Sequence, residues 1–438
     1  MKFSDCFKDF IKYSSLNVLG MIGLSCYILA DTFFVSKGLG ANGLAALNIA
    51  IPIYSFINGS GLMIGMGAGT KYSIMKWQQN KDKTNTIFTN AFVFTLFTAA
   101  LFLLLGIFFS GTVVRFLGAD NTIFQMSKTY LRVLLIFAPF FMLNNLFLCF
   151  VGNDGAPQLS MAAMITGSLS NIVLDYIFMF PLNMRIFGAA LATGIAPIIS
   201  IIVLSPFYFK KKNCFHLKKC RISASLCMNI SSTGLPSLIT EVSSGIVIIV
   251  FNMIILNIQG NTGVAAYGVI ANLSLVVISV FTGIAQGIQP ILSSNYGKEN
   301  YQNVQKILKY ALTSVVIISC AIYLSIILEA GNIVKIFNSE NNTLLQSAAE
   351  TGLKLYFTAC VFAGFNIIVS VYFTSTEYIK PAHIISILRG FVIIIPMAFL
   401  LSHIKGMTGV WCAFPATEFI VSIIGIIFLI FKIKIFTT

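Results

Sequence analysis

Long apolar stretches, separated by short polar segments, run through the whole chain. Twelve of them, at about 12–36, 45–70, 86–110, 127–151, 159–181, 188–209, 231–258, 264–292, 310–330, 350–374, 383–402 and 409–431, reach the roughly 20 helical residues needed to cross hydrocarbon. The pattern predicts an all-α integral membrane protein of twelve transmembrane helices. An even number of spans returns both termini to one side, and basic residues decide which. One side collects Lys2, Lys8 and Lys12, then Lys71, Lys76, Lys81 and Lys83, then Lys210, Lys211, Lys212, Lys218, Lys219 and Arg221, and finally Lys298, Lys306, Lys309, Lys380, Arg389, Lys432 and Lys434. Those twenty face eight on the other side, namely Lys37, Arg115, Lys128, Arg132, Arg185, Lys335, Lys354 and Lys405. Both termini are therefore expected in the cytosol. The first apolar run has no small-residue cleavage site and continues through Asp31, so it reads as a retained first helix.

Composition narrows the function classes. Of 438 residues, 57% are hydrophobic and 10% charged, where a soluble domain carries about 25% charged residues. An ordinary water-soluble enzyme is excluded. The net charge of +14 would suit nucleic acid if it were clustered on a folded surface, but it lies in short segments between spans, so no nucleic-acid partner is expected. Nine scattered cysteines give no disulfide framework. Cys214, His216, Cys220 and Cys227 share one polar loop, yet they lack a C-x2-C pair and sit among lysines, so no metal is expected there. Residues 59–69 are glycine-rich but have no Gly-Lys-Ser/Thr after a strand, so they are not a phosphate loop. Gly61, Gly65 and Gly69 instead give one flat helix face for close packing. Asp31 and Asp175 have no Gly-x-Gly-Asp signature of an intramembrane protease, and no cofactor is called for.

The chain also repeats. Gly40 to Ala46 recurs as Gly260 to Ala266, each opening a span, at an offset of 220. The same offset carries Arg115 and Asp120 onto Lys335 and Glu340, and a similar one carries Gly188 and Ala192 onto Gly409 and Ala413. Six spans per half make this a parallel repeat about a pseudo-two-fold axis along the membrane normal, an arrangement of secondary transporters. The predicted organisation is an amino-terminal lobe over 1–209, a basic cytoplasmic linker over 210–230 and a carboxy-terminal lobe over 231–438.

Most of the 14 carboxylates lie in loops or at span ends; Asp31, Asp175, Glu241 and Glu418 do not. A carboxylate at the centre of a transmembrane helix costs about 2.5–3.5 kcal/mol on insertion scales and normally faces a bundle interior or wet cavity. Asp31 and Asp175 sit in the outer halves of spans 1 and 5, and Thr193, five residues inside the outer start of span 6, falls near the same depth. Asn171 precedes Asp175 by four residues and Tyr27 precedes Asp31 by four, so each pair shares a helix face. Two carboxylates in a partly dry cavity oppose each other's ionisation, and a bound proton or Na⁺ relieves that opposition. The expected chemistry is that of an ion-coupled antiporter. Glu241, in the middle of span 7, is a candidate substrate or second coupling site, and Glu418 in span 12 has no partner acid nearby in sequence.

Ala30-Asp31-Thr32, Gly40 to Ala46, Asn171 to Asp175, Gly188 to Thr193, Gly234-Leu235-Pro236 and Gln286 to Pro290 together resemble the multidrug and toxic compound extrusion (MATE) transporters, bacterial and archaeal branch. The resemblance covers nearly the whole chain. It implies two six-helix lobes forming a V in the cell membrane, a monomer that alternates in access and exports cationic amphipathic compounds against H⁺ or Na⁺ entry. By position, Asp31, Asn171, Asp175 and Thr193 match the family's cation or proton site, with Tyr27 and Asn145 as neighbours. Glu241 falls where another branch places an acidic coupling residue, while that branch's span-10 acid is replaced here by Asn366. Span 1 has Gly20 and Gly23 where some relatives have a proline. The alternative is a related flippase for lipid-linked saccharides, whose pyrophosphate cargo calls for arginine in the cavity. These spans carry acids and almost no arginine away from their ends, which favours a cationic ligand.

Overall fold

The computed structural model describes residues 5–78, 81–338 and 342–437. Lys2 and Glu340 lie outside these, as do the side chains of Ala41, Lys81 and Lys434. Twelve apolar helices account for nearly all of the described chain. They are α1 Asp5–Gly40, α2 Asn42–Trp77, α3 Lys81–Phe116, α4 in two parts, Phe124–Ile136 and Ala138–Asn153, α5 Pro157–Met179 and α6 Arg185–Phe209. The series continues with α7 224–259, α8 261–297, α9 Tyr301–Phe337, α10 Thr343–Ser375, α11 379–405 and α12 407–437. Among the described residues there is no β-strand. This is the all-α, twelve-helix membrane architecture that the apolar periodicity predicts.

Three helix junctions are single glycines. Gly40 between α1 and α2 has φ 64° and ψ −154°, and Gly260 between α7 and α8 has φ 64° and ψ −156°. Only glycine adopts this region without strain. The offset of 220 between these two residues is therefore a repeat of backbone geometry as well as of sequence. Gly406 makes a similar break, φ 55° and ψ −133°, between α11 and α12.

The helices form two compact units, each with its own interior. The first comprises Ser15–Val242 and Ser293–Glu299; the second comprises Ser243–Leu292, the chain from Asn300 onward and the opening turns of α1 through Ser14. Those opening turns join the second unit for a packing reason: Phe7 and Phe10 lie 5.2 and 5.9 Å from the Tyr310 ring, and the backbone of Tyr13 and Ser14 lies against Gly287. The start of α7 joins the first unit because Gly67 and Gly234 let its backbone meet α2 at Ile230 and Met63.

Inside the first unit the predicted glycine face does close-pack. A Cβ at Gly61, Gly65 or Gly69 would lie 2.9, 3.0 or 2.8 Å from Met142, Asn145 or Asn153 on α4. Helix α4 is not the straight rod that its apolar run suggests, because it bends by 46° around Phe137. Pro139 just beyond has no N–H for the helix ladder and its ring crowds the preceding turn. Away from the interior, α3 presents Phe97, Leu101, Leu104 and Phe108, 62, 52, 47 and 69% exposed, a helical stripe of the kind lipid solvates.

The linker between α6 and α7 is bound down along its length. The backbone N–H groups of Cys214, His216, Lys218 and Ser223 donate to Asp154, Asn85, Thr89 and Asn90 at 2.7–3.0 Å. Phe215 inserts among Phe88, Phe150 and Tyr72, with ring centroids 4.7, 5.3 and 5.9 Å away. Asp154 anchors this arrangement, its buried carboxylate also taking Lys76 Nζ at 2.5 Å and the Tyr72 hydroxyl at 2.7 Å. Replacing Asp154 with Ala leaves Lys76 without its carboxylate, and breaking a buried pair costs about 3–5 kcal/mol. Lowered thermal stability, with new trypsin cleavage at the linker lysines, is the expected result. For Gly260→Ala, the strained backbone predicts a loss of about 1–3 kcal/mol, read as a lowered unfolding midpoint in detergent.

Candidate functional site

Helices α5 and α6 form an antiparallel hairpin closed by the tight turn at 180–184, with Asn183 and Arg185 at positive φ. The hairpin sets Asn171 and Asp175 of α5 against Thr193 of α6. With its amide nitrogen turned to the carboxylate, Asn171 donates to Asp175 Oδ2 at 3.1 Å and accepts from the Thr193 backbone N–H at 3.2 Å, the orientation that satisfies both ends. The Thr193 hydroxyl donates to Ala189 O at 3.0 Å. Gly194, next along, seats α6 on the Phe137 ring at the bend of α4.

Asp31 reaches the same neighbourhood from α1. Its Oδ2 accepts from the Tyr130 hydroxyl at 3.3 Å, and Asp31 and Asp175 are electrostatic neighbours. Tyr130 lies on the part of α4 before the bend and is itself within electrostatic reach of both acids. Asp31, Asn171, Asp175, Thr193 and Tyr130 are all buried. The Oδ1 atoms of Asp31 and of Asp175 are also buried and have no hydrogen-bond partner. Neither acid has an ion pair among the described residues.

The other two residues placed near this site lie a step away. Tyr27 bonds to Tyr54 of α2, hydroxyl to hydroxyl, at 3.0 Å. Asn145 donates to Asn58 Oδ1 at 2.8 Å, and Asn58 donates in turn to Glu241 Oε2 at 3.1 Å. One face of α2, carrying Tyr54 and Asn58 four residues apart, thus contacts Tyr27 with one side chain and Glu241 with the other. Glu241 belongs to the first unit. It is held by an amide, not by the acid pair.

Two of these participants, and one residue outside the site, are not marked in the sequence. Tyr130 is one of 15 tyrosines and follows two charged or polar positions at a span start, so nothing local singles it out; its signal is its depth, opposite Asp31. Asn58 sits at the edge of the glycine-rich run. Arg389 groups with the cytosolic basic residues by its place in the sequence, but the structure puts it inside α11, its side chain 12% exposed, with Nη2 and Nε at 2.8 and 3.1 Å from Glu418 Oε1. Spans expected to carry almost no arginine away from their ends thus hold an interior arginine in α11. A residue ten positions into α11 lies well within a helix that begins at Ile379.

The site geometry can be set beside known proteins. The MatE family model matches residues 18–177 and 236–400. The chain is 24% identical over 409 residues to the multidrug export protein MepA of Staphylococcus saprophyticus, covering 93% of this chain and 90% of that one. It is 23% identical over the same length to the MepA of Staphylococcus aureus. Among solved structures, an outward-facing multidrug resistance MATE family transporter of the MOP superfamily superposes with a TM-score of 0.92 at 23% identity, over 98% of this chain and 96% of that one. A MOP superfamily transporter from Pyrococcus furiosus, described as having a binding pocket of reversed polarity, gives 0.92 at 23% identity over 99% and 97%. These structural likenesses establish the fold.

The hydrogen bonds predict unequal effects of two substitutions. Asn171→Ala strips the buried Asp175 Oδ2 of its hydrogen-bond donor and should cost about 1–3 kcal/mol. Tyr130→Phe removes a longer bond and should cost about 0.5–1.5 kcal/mol. Thermal unfolding of both variants in the same detergent checks the order.

Proposed function

Because the chain belongs to the MatE family, a family of transporters and not of enzymes, we propose that it is a cation-coupled antiporter that exports cationic amphipathic organic compounds by alternating access. The observation that carries this reading is the uncompensated acid pair: Asp31 and Asp175 are buried together in the first unit, each with an oxygen that meets no protein donor. Buried charge is costly unless paired. A proton or Na⁺ supplies the missing partner, and Asn171, Thr193 and Tyr130 hold the two carboxylates ready for it. Tyr27 and Asn145 stand behind that set, and Glu241 is a second acidic position for cargo or coupling ion.

Coupling then needs only that ion and cargo favour different states or compete for one negative charge. When the pair is empty, its charge attracts a cationic compound; when a cation enters, the attraction is lost. Apolar compounds of varied shape suit walls rich in Phe and Met, of which the chain has 40 and 15. Multidrug export is the activity named for the MepA relatives, and it fits this chemistry. The proposal places the protein in the plasma membrane as a monomer with both termini cytoplasmic, following the distribution of basic residues.

The test is gradient-driven ethidium movement in proteoliposomes, with a pH gradient lacking Na⁺ and then a Na⁺ gradient at constant pH. One gradient should drive transport, and Asp31→Asn and Asp175→Asn should each lower it to about a tenth or less, a change of about 1.4 kcal/mol or more. Equal movement without either gradient, or variants as active as wild type, would overturn the antiporter reading and turn attention to the flippase.

A further inference from the structure

The second unit has a buried acid of its own, and it is compensated. Glu418 of α12 is 1% exposed. Its Oε1 takes two N–H bonds from Arg389 of α11, and its Oε2 takes the Asn366 amide of α10 at 2.7 Å, while the same amide also donates to Glu418 O at 2.9 Å. Three helices thus meet at one carboxylate. Arg389 arrives there by a local change in winding: over Leu388–Val392 the helix takes a π turn, with the Ile393 N–H bonded to Leu388 O at 2.9 Å. Such a turn shifts the angular phase of the helix and is a recurrent device at functional positions. Lysine in this place would bring one ammonium; the arginine fork brings two donors to one oxygen and keeps its charge under all conditions.

The two units therefore treat their interior acids in opposite ways. In the first, Asp31 and Asp175 from α1 and α5 have neutral partners only, and two oxygens have none. In the second, both oxygens of Glu418 are bonded and its charge is matched. We infer that Arg389 is a fixed internal counter-cation that keeps the Glu418 carboxylate occupied, so that the second unit takes no coupling ion and ion selectivity is confined to the Asp31 and Asp175 site. Arg389 does permanently for α10, α11 and α12 what a bound cation does reversibly for α1, α5 and α6. The inference rests on the coupling role proposed for the acid pair.

The matching predicts what its removal does. Without Arg389, the Glu418 carboxylate is buried with one amide, and it recovers a neutral state by taking a proton or Na⁺. Replacing Glu418 alone leaves Arg389 with a neutral amide and removes no ion-binding group.

Infrared difference spectroscopy on the full chain in nanodiscs, on exchange of perfusing buffer between low and high H⁺ and between Na⁺-free and Na⁺-containing solutions, reads carboxyl and carboxylate stretches directly. Wild type should show exchange bands that Asp31→Asn with Asp175→Asn abolishes and Glu418→Gln leaves unchanged. Arg389→Met should add one further carboxyl band, and Arg389→Met with Glu418→Gln should lose it again. A wild-type exchange band that disappears in Glu418→Gln would overturn the inference, because Glu418 would then exchange ions in the native protein. The Glu418→Gln arm needs no Arg389 variant to fold. Absence of all exchange bands from wild type, with the Arg389→Met band still present, would refute ion binding by the acid pair while upholding the role of Arg389; absence of the Arg389→Met band from a folded variant would refute that role.

Discussion

A carboxylate inside a membrane-spanning bundle has to be answered by a partner, because neither lipid nor a packed protein interior solvates it. This chain answers that demand in four different ways. Asp154, at the end of α4, meets Lys76, a tyrosine and a backbone N–H, and the result is an anchor for the linker between α6 and α7. Glu418 meets an arginine and an amide and ties three helices together. Glu241 is bonded by Asn58, itself bonded by Asn145. Asp31 and Asp175 keep unanswered oxygens. The position where the demand is left partly open is the position where an exchangeable cation has most to do.

Packing makes the open site repeatable. Small residues let the helices of the first unit approach closely, at Gly61, Gly65 and Gly69 against α4 and at Gly194 against the Phe137 ring. The bend of α4 lies at that same ring. Tyr130, on one side of the bend, consequently reaches Asp31, while Asn145, on the other, reaches Asn58, which in turn bonds Glu241. A straight α4 would not distribute them in this way. The linker adds a further constraint, since its backbone is bonded to α3 and to Asp154 and follows the first unit instead of hanging free.

Much of this is legible in the sequence, for identifiable reasons. Apolar runs of bilayer-crossing length seldom arise in water-soluble chains, so the twelve helices follow from periodicity. The repeat follows from Gly40 and Gly260, because a backbone region open only to glycine preserves the residue wherever the geometry recurs. Asn171, Asp175 and Thr193 are found together because helical spacing and depth suffice to align them, and their hydrogen bonds agree. What stayed hidden depends on angles and long-range contacts. Arg389 reads as an end-of-span charge until the π turn and Glu418, 29 residues away, are seen together. Tyr130 is 99 residues from Asp31, and the linker bonds span 60 to 136 residues. No local pattern encodes those pairings; they follow from how the helices pack.

The central claim is that the first unit's acid pair holds the cation that cargo displaces. Its most direct test is to add ethidium to lightly buffered protein in nanodiscs, first without Na⁺ and then loaded with radioactive Na⁺, and count the ions released per protein. The account predicts release of H⁺ or of Na⁺ from wild type, and none when Asp31 and Asp175 are both replaced by Asn. Ethidium binding without any release from wild type, or an undiminished release from the double variant, would contradict it.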